Sequence, residues 1–404
     1  MDRHVPTRSG LAMTKCFSLI VMKRISTSGI LNLSALTSDA RREGFVVLFG
    51  SAPNNENRLT MVGMNPVAKM TSWKQLEQKA ATTLVGYLAY PNVRIRNTIP
   101  SMRFYAFDAV RCYNRFSTTS VLLLNTYSTS GRLSQSVAKL QYVRNIQKIQ
   151  LLLMRGEAYQ INYSIRFTKQ FEGDPYGLFL KLSQTNPANF SAFMNCGAFQ
   201  IISCSPERLV SVENGRITAQ PIKGTIAKGS TPGARERSKK ALLSSQKDRA
   251  ELDMITDLQR NDLGRICEFG SVKVSKERSL LELKNMWHTY SEITGRVRKD
   301  VELKEIMGAV FPGGSVTGCP KIRAMQHIED LEQLPRNIFT GSIGYINNLG
   351  SRSMSADFNI AIRTILIQNG QLEFWVGGGI VADSIPEREY EECLLKAQKI
   401  IEVL

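Results

Sequence analysis

Lys223 ends the segment Arg216-Ile-Thr-Ala-Gln-Pro-Ile-Lys223, in which Ile217, Ala219, Pro221 and Lys223 share one face if the chain is extended. An ammonium at the end of an apolar row can shed water and serve as an amine nucleophile. The alternative is a lysine that snorkels to solvent. Glu251 poses a second question. On a helix over 248–260 with Ala250, Met254, Ile255 and Leu258 as its apolar positions, Glu251 lies on or beside the stripe. A carboxylate there needs a partner, because burying an unpaired charge is very costly. That partner is either an arginine or a metal ion.

Two glycine-rich loops could take an anion. Phe311-Pro-Gly-Gly-Ser-Val-Thr-Gly318 leads through Cys319 to Pro320, a favoured first helical residue, and helix starts offer free backbone N–H groups. Gly377, Gly378 and Gly379 follow an apolar run over 372–376 and allow a ligand close to the backbone. Neither loop matches a nucleotide-binding fingerprint. In Ser384-Ile-Pro-Glu-Arg-Glu-Tyr-Glu-Glu392, Ser384 and Glu387 have the spacing of a capping box, and first-turn carboxylates suit the helix dipole. Capping accounts for Glu387 but not for four glutamates in six residues, so one or two of them are expected to have another task.

The elements that must hold these groups come in runs. Strands are expected at 16–22, 44–49, 120–124, 160–167, 190–194, 200–203, 216–222, 271–274, 342–346, 353–360 and 372–376. Helical patterns cover 133–155 and 246–260 and begin again at Pro320 and Pro386. Runs of strands and helices, rather than strict alternation, predict an α+β fold. There is no internal repeat and no low-complexity segment.

Composition limits the function classes. With 404 residues, 43% apolar and 22% charged, the chain reads as a globular protein of one large core or two ordinary ones. No apolar run approaches the roughly 20 residues of a membrane-spanning helix, so no membrane partner is expected. The seven cysteines are scattered without a C-x-x-C pair, which predicts a reducing, cytoplasmic setting and no disulfide framework or zinc ribbon. The net charge of +17 fits either nucleic acid or an acidic small substrate. Lys and Arg are spread along the whole chain without a basic block, which disfavours nucleic acid. Residues 1–38 carry five basic side chains and one acid, a transit-peptide composition, although a divergent extension is the favoured reading.

Taken together, the motifs resemble the chorismate-utilising enzyme family, which includes anthranilate, aminodeoxychorismate, isochorismate and salicylate synthases. The matching stretches are Ala158-Tyr-Gln-Ile-Asn-Tyr163, Ser205-Pro-Glu-Arg-Leu209, Gln220-Pro-Ile-Lys-Gly-Thr225, Asp257-Leu-Gln-Arg-Asn-Asp262, the 311–321 loop, Gly341-Ser-Ile-Gly-Tyr345, Ala361-Ile-Arg-Thr364 and Gly377-Gly-Gly-Ile-Val-Ala-Asp-Ser384. They run in order over about 140–404. The resemblance implies two antiparallel β-sheets packed as a sandwich with outer helices. It further implies a divergent amino-terminal region, 1–130, with a possible effector site, and a chorismate-binding catalytic region, 131–404.

Carried over by position, Glu251 and Glu392 resemble ligands of a Mg²⁺ ion, the cofactor the resemblance implies. Ser315, Tyr345, Arg363, Thr225 and the amides of Gly377, Gly378 and Gly379 resemble substrate-binding groups, and Arg363 offers a planar fork that suits a carboxylate. Glu207 resembles the acid that protonates the departing 4-hydroxyl, and His288 a histidine near the reacting ring. Water-adding members carry a lysine base near the position of Gln160, which glutamine cannot replace. Lys223 in Pro-Ile-Lys-Gly-Thr resembles the aminodeoxychorismate branch, where anthranilate synthases place a small residue. The implied reaction is amination of chorismate through a Lys223 adduct, with ammonia from a separate glutamine amidotransferase subunit; the runner-up is anthranilate synthase component I. Departures are Cys319 in place of a common alanine and Asn189 near an expected proline, which weakens the case for tryptophan as an effector.

Overall fold

A computed structural model describes residues 25–26, 31–49, 60–78, 83–113, 116–117, 126–282, 286–351 and 353–404. Most strands pair with sequence-distant partners, and among the described residues they form two large sheets and a small one. The first sheet has eleven strands. Its centre runs Val46–Phe49, Phe190–Asn195, Phe199–Ser205, Thr364–Gln368, Gln371–Ile380 and Gln160–Gly173, all antiparallel. The second has ten, in the order Ile222–Ala227, Met286–Arg296, Arg216–Gln220, Arg208–Glu213, Ser355–Asn359, Ser342–Asn347, Thr83–Leu88, Met102–Phe107 and Ala68–Met70. Lys273–Glu282 pairs onto Met286–Arg296 from the side.

Alternation along the strands explains how the sheets stack. In Val46–Phe49 every residue is buried. Val46 and Leu48 face a cluster that also holds Val85, Tyr87, Phe107, Ile343 and Leu366, drawn from both sheets. Val47 and Phe49 point the other way, into a cluster lined by Tyr142, Ile146, Phe179, Ile328 and Ile400 from the outer helices. A third cluster packs Leu263, Ile306 and Met307 from helices Gln246–Gly264 and Leu303–Val310 onto the outer face of the second sheet. Each fully buried Leu, Ile or Phe contributes roughly 1.5–3 kcal/mol to this sandwich. The α+β expectation and the two packed sheets are borne out. Strands from 1–130 enter both sheets: Val46–Phe49 lies beside Phe190–Asn195, and Thr83–Leu88 beside Ser342–Asn347.

Several boundaries differ from the sequence pattern. Residues 133–135 end a strand, Tyr127–Gln135, and the helix begins only at Lys139. Ser134 and Gln135 continue a ladder with Thr168 and Phe167, and this long-range pairing overrides helical periodicity. The strand expected at 160–167 runs on to Gly173 for the same reason. Pro320 is the N-cap of Lys321–Glu332 and not its first helical residue. On Gln246–Gly264 the buried row is Leu252, Ile255, Thr256, Gln259, Asp262 and Leu263, and Ala250 is exposed. No capping box forms at Ser384: the N-cap of Pro386–Ile401 is Ile385, and Ser384 Oγ instead donates to Glu389 Oε1 at 2.8 Å. The strands expected at 16–22 and 120–124 lie outside the described residues. Strands Met286–Arg296 and Thr364–Gln368 and helices Pro175–Thr185, Pro232–Ser244 and Leu303–Val310 were not anticipated.

Candidate active site

Proline and glycine shape the strand that carries Lys223. Arg216–Gln220 and Ile222–Ala227 pair with the same strand, Met286–Arg296, and Pro221, which has no N–H to give, separates them. Ile217, Ala219 and Pro221 are buried, and Lys223 continues the row with 14% of its side chain exposed. A bulge follows: Lys223 lies opposite Thr289 and Thr225 opposite His288, with Gly224 as the extra residue. Gly224 has φ +75°, and a Cβ there would come within 2.9 Å of Thr289 Oγ1, so a side chain is excluded on both counts.

Lys223 and Thr225 line a cavity of about 510 Å³ between the two sheets. The second sheet also supplies His288 to it, the turn before Arg208–Glu213 supplies Glu207, and the 314–316 turn supplies Ser315. Arg363 enters from the turn before Thr364–Gln368, and Gly377, Gly378 and Gly379 from Gln371–Ile380. A Cβ on Gly377 would collide with Ser164 Oγ and the Tyr163 carbonyl, so glycine lets the neighbouring strand approach. Helix Gln246–Gly264 contributes Lys247, Asp248 and Glu251, and helix Pro386–Ile401 contributes Glu389, Glu392 and Lys396. The structure thus gathers Lys223, Glu207, His288, Ser315, Arg363, Thr225, Gly377, Gly378, Gly379, Glu251 and Glu392.

Tyr345 does not join them. It sits on Ser342–Asn347 opposite Asp357 and packs against the core between the sheets, on the face of Ile343. Gln160 also stays out of the lining; it is wholly buried behind Gly379, with neither end of its amide paired within the protein.

The electrostatics divide the cavity. Glu207 is 5% exposed and accepts from Ser315 Oγ at 2.8 Å. Burial pushes its carboxyl up to about 7, against the pull of Ser315, the Lys223 charge and the Ile222 backbone. Near neutral pH its protonated and ionised forms are therefore both populated. His288 is 2% exposed, and burial followed by the Arg363 charge pushes it down to about 4, so it is a neutral imidazole. Its Nδ1 pairs with Thr225 Oγ1 at 2.7 Å, while its Nε2 has no partner in the protein. Arg363, at φ +51°, has its pKa lowered by burial, and no carboxylate among the described residues lies within ion-pair distance of its guanidinium. A part-buried cation without a counterion has the chemistry to take an anion.

The opposite wall is acidic. Glu251, whose expected partner was an arginine or a metal, meets Lys223 Nζ at 3.1 Å. Lys247 Nζ lies 4.0 Å from Glu251 Oε1 and 3.7 Å from Glu389 Oε1, and Lys396 Nζ lies 2.8 Å from Glu392 Oε1. Of the four glutamates at 387–392, Glu387 and Glu391 point to solvent, and Glu389 and Glu392 face the cavity. Sequence reasoning missed Asn162, Lys247, Asp248, Phe339, Trp375, Glu389 and Lys396 as lining residues. One signal was available: Asp248 precedes Glu251 by three residues and Glu389 precedes Glu392 by three, a helical spacing that duplicates a carboxylate on one face.

Comparison with known proteins agrees with this geometry. The model of the chorismate binding enzyme family matches residues 60–402. The chain is 41% identical over 269 residues to the aminodeoxychorismate synthase component 1 of Salmonella typhimurium, covering 67% of this chain and 58% of that protein. The Escherichia coli protein of the same name is 42% identical over 266 residues, of which the match covers 57%, so this chain spans less than two thirds of either relative. The anthranilate synthase component 1 of Methanothermobacter thermautotrophicus is 36% identical over 343 residues, covering 79% of this chain and 73% of that one. Among solved structures, anthranilate synthase component I from Streptococcus pneumoniae superposes with a TM-score of 0.73 at 26% identity, covering 87% of this chain and 93% of that chain. The menaquinone-specific isochorismate synthase of Escherichia coli, at 18% identity and a TM-score of 0.75, shares the fold. With its glycine-lined cavity, its two acidic helices and a family match across most of its length, this chain belongs to the chorismate-binding enzymes.

Proposed function

We propose that the chain is the aminating component of an aminodeoxychorismate synthase, converting chorismate and ammonia to 4-amino-4-deoxychorismate. The observation that carries this reading is Lys223, a lysine in the cavity wall whose charge is felt by the buried Glu207 carboxyl. The unpaired Arg363 and the amides of Gly377, Gly378 and Gly379 would hold the carboxylates of the dianionic substrate. Lys223, once deprotonated, would attack ring C2 as the C1–C2 and C5–C6 double bonds shift to C1–C6 and C4–C5 and hydroxide leaves C4, taking its proton from Glu207 and departing as water. Ammonia would then add at C4, and the returning electron pair would expel the Lys223 amine from C2. Two substitutions replace one difficult one.

The donor set also fits the expected Mg²⁺. This ion accepts one or two carboxylates and keeps several waters, so it does not require a closed cage of protein ligands. Glu251 and Glu392, on the two helices that line the cavity, supply two such carboxylates, and each already attracts a cation, Lys223 and Lys396 respectively. Bound there, the ion would neutralise a substrate carboxylate and act as a Lewis acid. Ammonia is proposed to come from a glutamine amidotransferase subunit, the partner that the component 1 designation of the relatives supports.

A second reading, anthranilate synthase component I, rests on the 36% identity to a relative of that name over 73% of its length. Purified chain incubated with chorismate, Mg²⁺ and ammonium decides between them by product mass. Aminodeoxychorismate that disappears in Lys223→Ala supports the first reading; anthranilate with pyruvate overturns it.

A further inference from the structure

The acidic wall is built from two helices that have no other charged tie across the cavity among the described residues, and a single lysine spans them. Lys247 stands in the first turn of Gln246–Gly264, with its side chain 53% exposed. Its ammonium lies 4.0 Å from Glu251 on its own helix and 3.7 Å from Glu389 on Pro386–Ile401. Glu389 is only 7% exposed at its side chain and is further held by Ser384 Oγ at 2.8 Å, so it cannot turn to solvent. The other two lysines at this wall are committed differently. Lys223 contacts Glu251 alone at 3.1 Å, and Lys396 pairs with Glu392 on its own helix while donating to the Gly377 carbonyl at 2.9 Å.

We propose that Lys247 is a built-in counter-cation, which ties Glu251 and Glu389 of the two helices together in place of a divalent ion and competes with that ion for Glu251. The proposal rests on the reading of Glu251 and Glu392 as the Mg²⁺ ligands, and it makes Lys247 a positioning residue, not a catalytic one. Carboxylates facing one another across a cavity repel unless a positive charge lies between them. Lys247 supplies that charge in the metal-free chain, and its long, half-exposed side chain has free water to swing into when Mg²⁺ arrives. The cost of displacing it lowers the apparent affinity for the ion. Because the contacts are long and partly solvated, each is weak, and the competition is modest.

The test is Mg²⁺ binding to the full chain after chelator treatment, followed by titration calorimetry, with no substrate and no turnover. Lys247→Met keeps the length of the side chain and removes the charge, and it is expected to bind Mg²⁺ about fivefold more tightly than the parent chain. Lys247→Gln is expected to do the same, which guards against a folding defect in one variant. Lys247→Arg keeps the charge and is expected to stay within about twofold of the parent. Thermal unfolding gives a second readout: Mg²⁺ should raise the melting temperature of Lys247→Met more than that of the parent. Unchanged or weaker Mg²⁺ binding in both uncharged variants overturns the proposal. If the parent chain itself binds no Mg²⁺, the metal reading fails first and the proposal falls with it, an outcome distinct from a parent that binds and variants that do not differ.

Discussion

If Glu207 is the acid that protonates the leaving hydroxyl, the reaction is fast only while that carboxyl holds its proton. Its position near 7 places a downward break, an alkaline limb, at neutral pH: the slope of log kcat/KM for chorismate against pH should decrease by one on passing through about 7. Three groups oppose the burial that raises Glu207, namely Ser315, Lys223 and the Ile222 backbone. Of these, Ser315 can be altered without touching the proposed nucleophile. Its hydroxyl donates to Glu207 Oε1 at 2.8 Å, a bond that favours the ionised form. A hydrogen bond to a charged group is worth about 1.5–3 kcal/mol, and roughly 1.4 kcal/mol corresponds to one pH unit. Ser315→Ala should therefore move the limb upward by about one to two units. The sign follows from linkage: removing a donor that stabilises the carboxylate raises the pKa, so the acid survives to higher pH. The assay holds the concentration of free ammonia constant while pH is varied, because ammonium itself titrates in the alkaline range. A limb that stays put, or moves to lower pH, refutes the assignment of the limb to Glu207, whatever happens to the plateau.

Lys223→Ala should reduce aminodeoxychorismate formation by at least about a thousandfold while leaving the melting temperature close to that of the parent, checked by product mass and calorimetry. Arg363→Met should raise KM for chorismate by about a hundredfold, the equivalent of about 3 kcal/mol for a charge-assisted carboxylate contact, with a smaller change in kcat measured under saturating substrate. Arg336→Met should cost roughly 3–5 kcal/mol in urea unfolding, because Glu332, like Arg336 only 1% exposed at its side chain, would be left as a buried carboxylate without its cation. Adding Glu332→Leu to that variant should restore part of the loss; equal stability of the single and double variants would show that the buried pair is not the source.

How far the sequence reveals this molecule depends on whether a group's task is local. Lys223 was visible because Ile217, Ala219 and Pro221 mark its face along one extended segment, and the three glycines of 377–379 announce close approach without outside help. The α+β class followed from runs of strands and helices. Roles for Glu207, His288 and Arg363 came through family resemblance alone, since nothing beside them in sequence says that burial displaces all three pKa values. Lys247 was missed because its partner Glu389 belongs to a different helix. Tyr345 fell in a matching motif, yet strand alternation turns it toward Ile343 and the core between the sheets. The helix expected from residue 133 gave way to a ladder with 167–168, a pairing that helical periodicity cannot foresee.

The interleaving of early and late strands also sets how this chain can fold. Thr83–Leu88 has Met102–Phe107 on one side, but its other neighbour, Ser342–Asn347, emerges far later in synthesis. The same holds for Val46–Phe49, which waits for Phe190–Asn195. Such non-local pairing must meet its loop-closure cost before its contacts form, which slows folding and leaves strand edges open in the meantime. On the ribosome, the early hairpin would expose an unpaired edge until the second half of the chain arrived, and chaperone demand should be concentrated in that interval.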